Sequence, residues 1–281
     1  MARKTLQRSL NKPKAPGRRH RKTLAAPFLM DTHAAVKTVM AATETLPDFR
    51  QTPSELEAEE KLQLVRQALV LLQDNYVHLP LKESMHAVRP IQALNLLLQR
   101  LESSDEGISD LEFHAEMLRI FTSVRDLHTN YFLPAPYNEK TAYVPFLLES
   151  FFEGGERRYL VSHMVAGFDQ PPFGPGVEVF SWNGAPIDLA VAANAARFAG
   201  SNAEARRARG LERMTIRPLI QSLPPDEDFV LVGYRTPDGQ EHEIRLNWLV
   251  FTPDASGAVV AQIEDVRSEE HTSELQSRPH I

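Results

Sequence analysis

Around Pro134–Pro136 the hydrophobic period of this chain changes from that of a helix to that of a strand. Upstream, apolar residues recur at steps of three and four; downstream, they fall in short runs separated by Gly- and Pro-rich turns. Helices followed by strands, rather than alternating with them, predict an α+β protein: an N-terminal helical bundle and then a β-rich module.

The upstream half predicts three helices. Thr52-Pro53-Ser54-Glu55 has the form of a capping box with Pro at the first helical position, opening a helix over 52–77. Leu62, Val65, Leu69, Leu72 and Tyr76 give it one apolar stripe. Ile91–Leu101 forms the second helix, with Pro80 and Pro90 marking the connection before it, and Ser103–Gly107 breaks it. A second capping box, Ser109-Asp110-Leu111-Glu112, opens the third, with Leu111, Ala115, Leu118, Phe121 and Val124 on one face.

Downstream, Val144–Phe152 and Tyr159–Val165 flank Glu153-Gly154-Gly155-Glu156, a hairpin signal. Val177–Trp182 reads as a strand closed by the Asn183-Gly184 turn. Asp188 is expected to cap an alanine-rich helix ending at Gly200, and Ser201 to cap a second helix over 203–222, with Glu204 completing its box. Phe229–Tyr234 and Glu243–Phe251 form a last hairpin around Pro237-Asp238-Gly239, with Ile244, Leu246, Trp248 and Val250 on its buried face. The chain thus divides into a basic, disordered tail (1–50), the bundle (52–135), the β-rich region (136–250), the start of a further core (251–266) and a terminal run (267–281).

With 42% hydrophobic and 24% charged residues the chain has ordinary globular composition, and its size permits a substantial core. It contains no cysteine, which excludes disulfides, thiolate metal sites and a cysteine nucleophile. Residues 1–23 carry nine Lys/Arg and no Asp/Glu, and the last fifteen carry −1, so the net charge of −6 hides a body at −14 over 24–266. An acidic body argues against a nucleic-acid surface. Neither a signal peptide nor a membrane span is visible, so the default expectation is cytoplasmic; no cofactor is implied and no metal-ligand spacing exists.

Candidate chemistry concentrates in Arg125-Asp126-Leu127-His128-Thr129-Asn130-Tyr131, at the exit of the third helix. Histidine titrates near neutrality, so His128 is the candidate general base, with Asp126 and Thr129 as supports. Such a His can equally cap helix carbonyls. No nucleophile is evident: Ser201 reads as a helix cap, and Ser181 lies in a strand without an elbow around it.

This segment, set between a helical bundle and a β-rich module, resembles the Leu-Gly-Asp-x-His-Thr signature of the tail-specific (C-terminal processing) serine peptidases, especially the branch containing the tricorn core. Gly176–Ile187 is similar to the Gly-Asp strand and Asn-Gly-x-Pro turn of their PDZ-like module. Two residues depart from the pattern: Arg125 stands for glycine and Val177 for aspartate. The resemblance implies peptide-bond hydrolysis of a protein or peptide substrate by a serine carried on a later α/β core. In the tricorn-like branch His128 would activate that serine; in the processing branch a serine–lysine pair does so and the histidine is structural. The other function class is a non-catalytic PDZ-like module binding peptides or an apolar ligand.

Arg267–Ser277 matches, codon by codon, the translation of a common sequencing adapter. The natural sequence is therefore expected to end near Val266, with the core and its serine beyond it, and this chain is expected to be inactive.

Overall fold

The computed structural model describes residues 43–52, 56–103, 107–165, 168 and 170–252. Most of the basic tail, the capping-box residues 53–55 and everything after Thr252, including the adapter-like run, lie outside them.

The described chain opens inside the region expected to be a disordered tail. Glu44–Thr45 is a short strand (β1) and Leu46–Phe49 one turn of helix (α1). Leu46 and Phe49 are buried, and Phe49 packs edge-on against Tyr137. Burying two large apolar side chains outweighs the local composition, so residues 44–49 belong to the folded body and not to a tail.

The bundle has four principal helices: α2 (Ala58–Val70), α3 (Leu79–His86), α4 (Pro90–Ser103) and α5 (Asp110–Ser123). The first starts later than expected. Glu57 sits at its N-cap and its N–H donates to the Glu60 carboxylate at 2.9 Å. A π-helical turn, Leu71–Asn75, ends it and redirects the chain at Tyr76. Helix α3 was not foreseen; Pro80 near its start initiates it instead of punctuating a loop. Ser109 caps α5 as expected, its hydroxyl accepting the Glu112 N–H.

The buried face of α5 shares Phe121 and Val124 with the expected one and otherwise differs. Phe113, His114, Met117, Ile120 and Phe121 are buried, whereas Leu111 is half exposed. Its core row is offset because Phe113, Met117, Ile120 and Phe121 all pack into the bundle core with Val65, Leu72, Leu94 and Leu97, while Leu118 faces the main core. Lys61, almost wholly buried, fixes the start of α5 by pairing with Asp110 at 2.6 Å and donating to Ile108 O at 2.7 Å.

Two antiparallel sheets follow. The smaller has the order β1-β10-β2-β7, with β2 Thr141–Tyr143, β7 Ile216–Pro218 and β10 Leu249–Phe251. The larger has the order β3-β4-β5-β8-β9: β3 Phe146–Glu153, β4 Glu156–Met164, β5 Glu178–Trp182, β8 Phe229–Arg235 and β9 Glu241–Asn247, with β6 (Ala185–Pro186) hooked onto β5. The expected hairpin at Gly154-Gly155 forms, both glycines at positive φ, and so does the Asn183-Gly184 turn. The expected single strand Glu243–Phe251 instead divides at Trp248, where the chain crosses from one sheet to the other.

Two further helices cover the large sheet: α6 (Ile187–Ala195) and α7 (Ala203–Thr215). Pro186, not Asp188, stands at the cap of α6, while Asp188 accepts hydrogen bonds from Tyr159 and Arg207. Asn202, not Ser201, caps α7 by accepting the N–H groups of Glu204 and Ala205. Helix α7 stops at Thr215, well short of residue 222, because the chain there enters β7.

Candidate functional site

The Asp126–Thr129 segment hangs between the end of α5 and the sheets. Val124 closes α5 in the αR conformation, and Arg125 then turns the chain out at φ 54°. That is the left-handed region where glycine is the easy residue, so Arg125 holds a backbone state that would suit glycine better. Two donors hold the turn. Lys82 Nζ and Ser201 Oγ both donate to Arg125 O, at 3.3 and 3.1 Å, and Lys82 Nζ also donates to Ser201 Oγ at 2.9 Å.

Asp126 is locked from two sides. Its Oδ2 accepts the Tyr76 hydroxyl at 2.5 Å and its Oδ1 accepts the His128 N–H at 2.9 Å. The Tyr76 bond, with smaller help from the His128 N–H and the Lys82 charge, holds the carboxyl below its ordinary range. Burial, then the same carboxylate, pushes Tyr76 up to about 12, so it stays a donor. The Thr129 side chain also reaches the Tyr76 hydroxyl.

His128 itself projects outward. Its side chain is 94% exposed while that of Asp126 is 15% exposed, and Nδ1 lies 3.5 Å from Asp126 Oδ1. Among the described residues no serine, threonine or lysine side chain bonds this ring. The structure thus brings Asp126, His128 and Thr129 into one anchored loop, with the anchors inside and the imidazole available to something outside. Ser181 lies in β5 and Ser201 belongs to the Arg125 clamp, so neither stands against the imidazole.

Sequence reasoning missed Tyr76, Lys82 and Ser201 as parts of this site. Tyr76 counted only as apolar stripe, although a half-buried tyrosine needs a partner for its hydroxyl. Lys82 sits on the unforeseen α3, and Ser201 has the sequence setting of a cap, yet its hydroxyl bonds Lys82 and Arg125 O.

His114, by contrast, is core. It is fully buried on α5, bonds Tyr131 Oη through Nδ1 at 2.8 Å, and burial lowers its pKa to about 4 against a smaller opposing pull from Asp110. Among the described residues no group of three His, Asp or Glu side chains is placed to hold a metal ion, and no helix is long and apolar enough to cross a membrane.

Residues 140–263 match the family model of the PDZ domain. No curated protein sequence matches the chain. Among solved structures, mature CPAF aligns with a TM-score of 0.55 at 18% identity, over 68% of this chain and 34% of that one. Mature CPAF complexed with lactacystin aligns at 0.53 and 19%, over 68% and 35%, and a serine-to-alanine mutant of CPAF at 0.53 and 20%, over 68% and 34%. The chain spans about a third of the length of these structures. At such identities the likeness is one of fold: helices followed by a PDZ-containing β-rich module.

Proposed function

We propose that this chain is the helical and PDZ-like part of a serine-type endopeptidase of the tail-specific class, in its tricorn-like branch, with His128 as general base. The observation that carries the reading is the exposed His128 ring on a loop pinned from behind by Tyr76 and Asp126. A serine hydroxyl is a poor nucleophile until a neighbouring base takes its proton as the acyl bond forms. An imidazole open to solvent on a fixed loop suits that task once a later domain presents the serine. Asp126 and Thr129 position the loop; at 3.5 Å the Asp126 carboxylate also lies near enough to favour the imidazolium that proton transfer creates. The fold likeness to CPAF, solved with lactacystin bound and with a serine changed to alanine, supports the same direction.

The test is His128→Ala in a protein extended beyond this chain, assayed with a quenched-fluorescent peptide pool. Turnover should fall about ten-thousand-fold or more, as for loss of a base from a serine triad, with the circular dichroism spectrum unchanged. Retained turnover would make His128 structural. The PDZ match favours one second reading, a peptide-binding module without catalysis. An extended protein that binds peptides but cleaves none would establish it.

A further inference from the structure

Basic side chains converge where α3, the Arg125 turn and the lead-in to α7 meet. Lys82 and His86 lie four residues apart on α3 and so share one face of it. Lys82 Nζ donates to Ser201 Oγ at 2.9 Å and to Arg125 O at 3.3 Å, which brings that face against both other segments. Arg206 reaches the same lead-in from α7, its Nη1 donating to the carbonyls of Gly200 and Ser201 at 2.6 and 3.1 Å. The charges of Lys82, Arg125 and Arg206 all bear on His86, and that of Arg206 bears on Arg125.

Two of these groups keep donors in hand. Arg125 Nη1 and His86 Nε2 are buried and bond no group among the described residues. Nor, among the described residues, does a carboxylate pair with Lys82, Arg125 or Arg206; the neighbouring acids are engaged elsewhere. Asp126 takes the Tyr76 hydroxyl and the His128 N–H, Glu83 pairs with Arg89 at 3.5 Å, and Glu204 with Arg157 at 2.9 Å. Setting the Asp126 carboxylate, which feels Lys82, against the three cations still leaves two positive charges. The body as a whole carries −14 over 24–266, so this junction runs against the rest of the molecule.

Gathering like charges in a half-buried place costs free energy unless an anion offsets it. Arg125 adds the strain of its φ of 54°, and a strained non-glycine residue points to a function for its side chain. Burial, then the three cations, lower the His86 pKa, so this imidazole serves as a neutral N–H donor and not as a fourth charge. A tetrahedral dianion has oxygens enough for two guanidinium groups, an ammonium and an imidazole, and it cancels both charges. A carboxylate has two oxygens and one charge.

We propose that this junction is a phosphate-binding site, with Lys82, Arg125 and Arg206 as its cations and His86 Nε2 as a further donor. Inorganic phosphate and a small phosphate monoester present the same group to it. The site stands apart from the role of His128, whose turnover enters none of the readouts below.

Calorimetric titration of the whole chain with sodium phosphate at fixed ionic strength tests it, with glycerol 3-phosphate and acetate as parallel arms. One-to-one binding is expected in the phosphate or the glycerol 3-phosphate arm, the tighter of the two identifying the source, with acetate at least about tenfold weaker. Arg125→Gly relieves the backbone while removing the guanidinium and should weaken binding at least about tenfold, the scale of one charge-assisted hydrogen bond. His86→Leu should weaken it about threefold, as for a neutral donor. Arg66→Ala, which removes an exposed arginine on α2, should leave it unchanged. The proposal is overturned if neither phosphate arm saturates, if acetate binds as tightly, if Arg66→Ala loses as much, or if either site variant binds like the parent. Should Arg125→Gly fail to fold, Arg206→Gln takes its place with the same outcomes.

Discussion

Arg125 carries two local penalties at once. Its backbone is left-handed, which costs a non-glycine residue about 1–2 kcal/mol. Its Nη1 is buried without a partner, beside Arg206, and burial followed by the Arg206 charge lowers its pKa. The clamp uses the carbonyl of Arg125, not its side chain. Arg125→Gly should therefore preserve the loop and leave stability unchanged or up to about 1 kcal/mol higher in urea melts, the conformational relief being partly offset by the entropy of glycine; a loss larger than that would show that the guanidinium supports the fold. Tyr76→Phe tests the other anchor. Removing a hydrogen bond to a carboxylate should cost about 1.5–3 kcal/mol at neutral pH. Because Asp126 titrates below its ordinary range when folded, its contribution is present above about pH 4 and fades as pH falls through the folded value, so mutant and parent should converge in acid.

Among the elements, α5 holds the clearest pH signature. His114 is neutral in the core with a pKa near 4, against about 6.5 when unfolded. The unfolded chain therefore binds the extra proton between those values, and stability is complete above about pH 6.5 and declines towards pH 4, by about 3 kcal/mol in all. His114→Gln should flatten that slope in a series of denaturant melts; an unchanged slope would place its origin elsewhere. The helix was legible from its capping box, its buried face only at Phe121 and Val124. Periodicity of 3.6 residues rewards any aligned apolar row, Leu111 included, while packing into the bundle core beside Leu94 and Leu97 selects Phe113, Met117 and Ile120. Hairpins were easier to foresee. Gly154-Gly155 and Asn183-Gly184 need positive φ at adjacent positions, a local demand that few residue pairs meet. Helix caps were less so: Asp188 and Ser201 are common cap residues, but each was recruited by a distant arginine, lysine or tyrosine.

For the whole molecule, Trp248 is the joint. It is fully buried at the point where β9 hands the chain to β10, its N–H bonds Asp228 O, and its carbonyl accepts the Leu46 N–H of α1. Trp248→Ala should destabilise by about 3–5 kcal/mol and melt both sheets in one transition; separate transitions would show that the sheets fold independently. The same architecture explains which parts of the site could be read in advance. The sequence by itself determined the switch from helices to strands, the tight turns and the Asp-x-His-Thr loop, because periodicity and turn chemistry act over a few residues. Only the tertiary structure decided that Tyr76 from 50 residues upstream anchors Asp126, that Lys82 and Ser201 meet at the Arg125 carbonyl, and that α7 lies along β3. Those contacts join segments far apart in the chain, and no local pattern encodes which polar group a distant partner will claim once the apolar faces have packed.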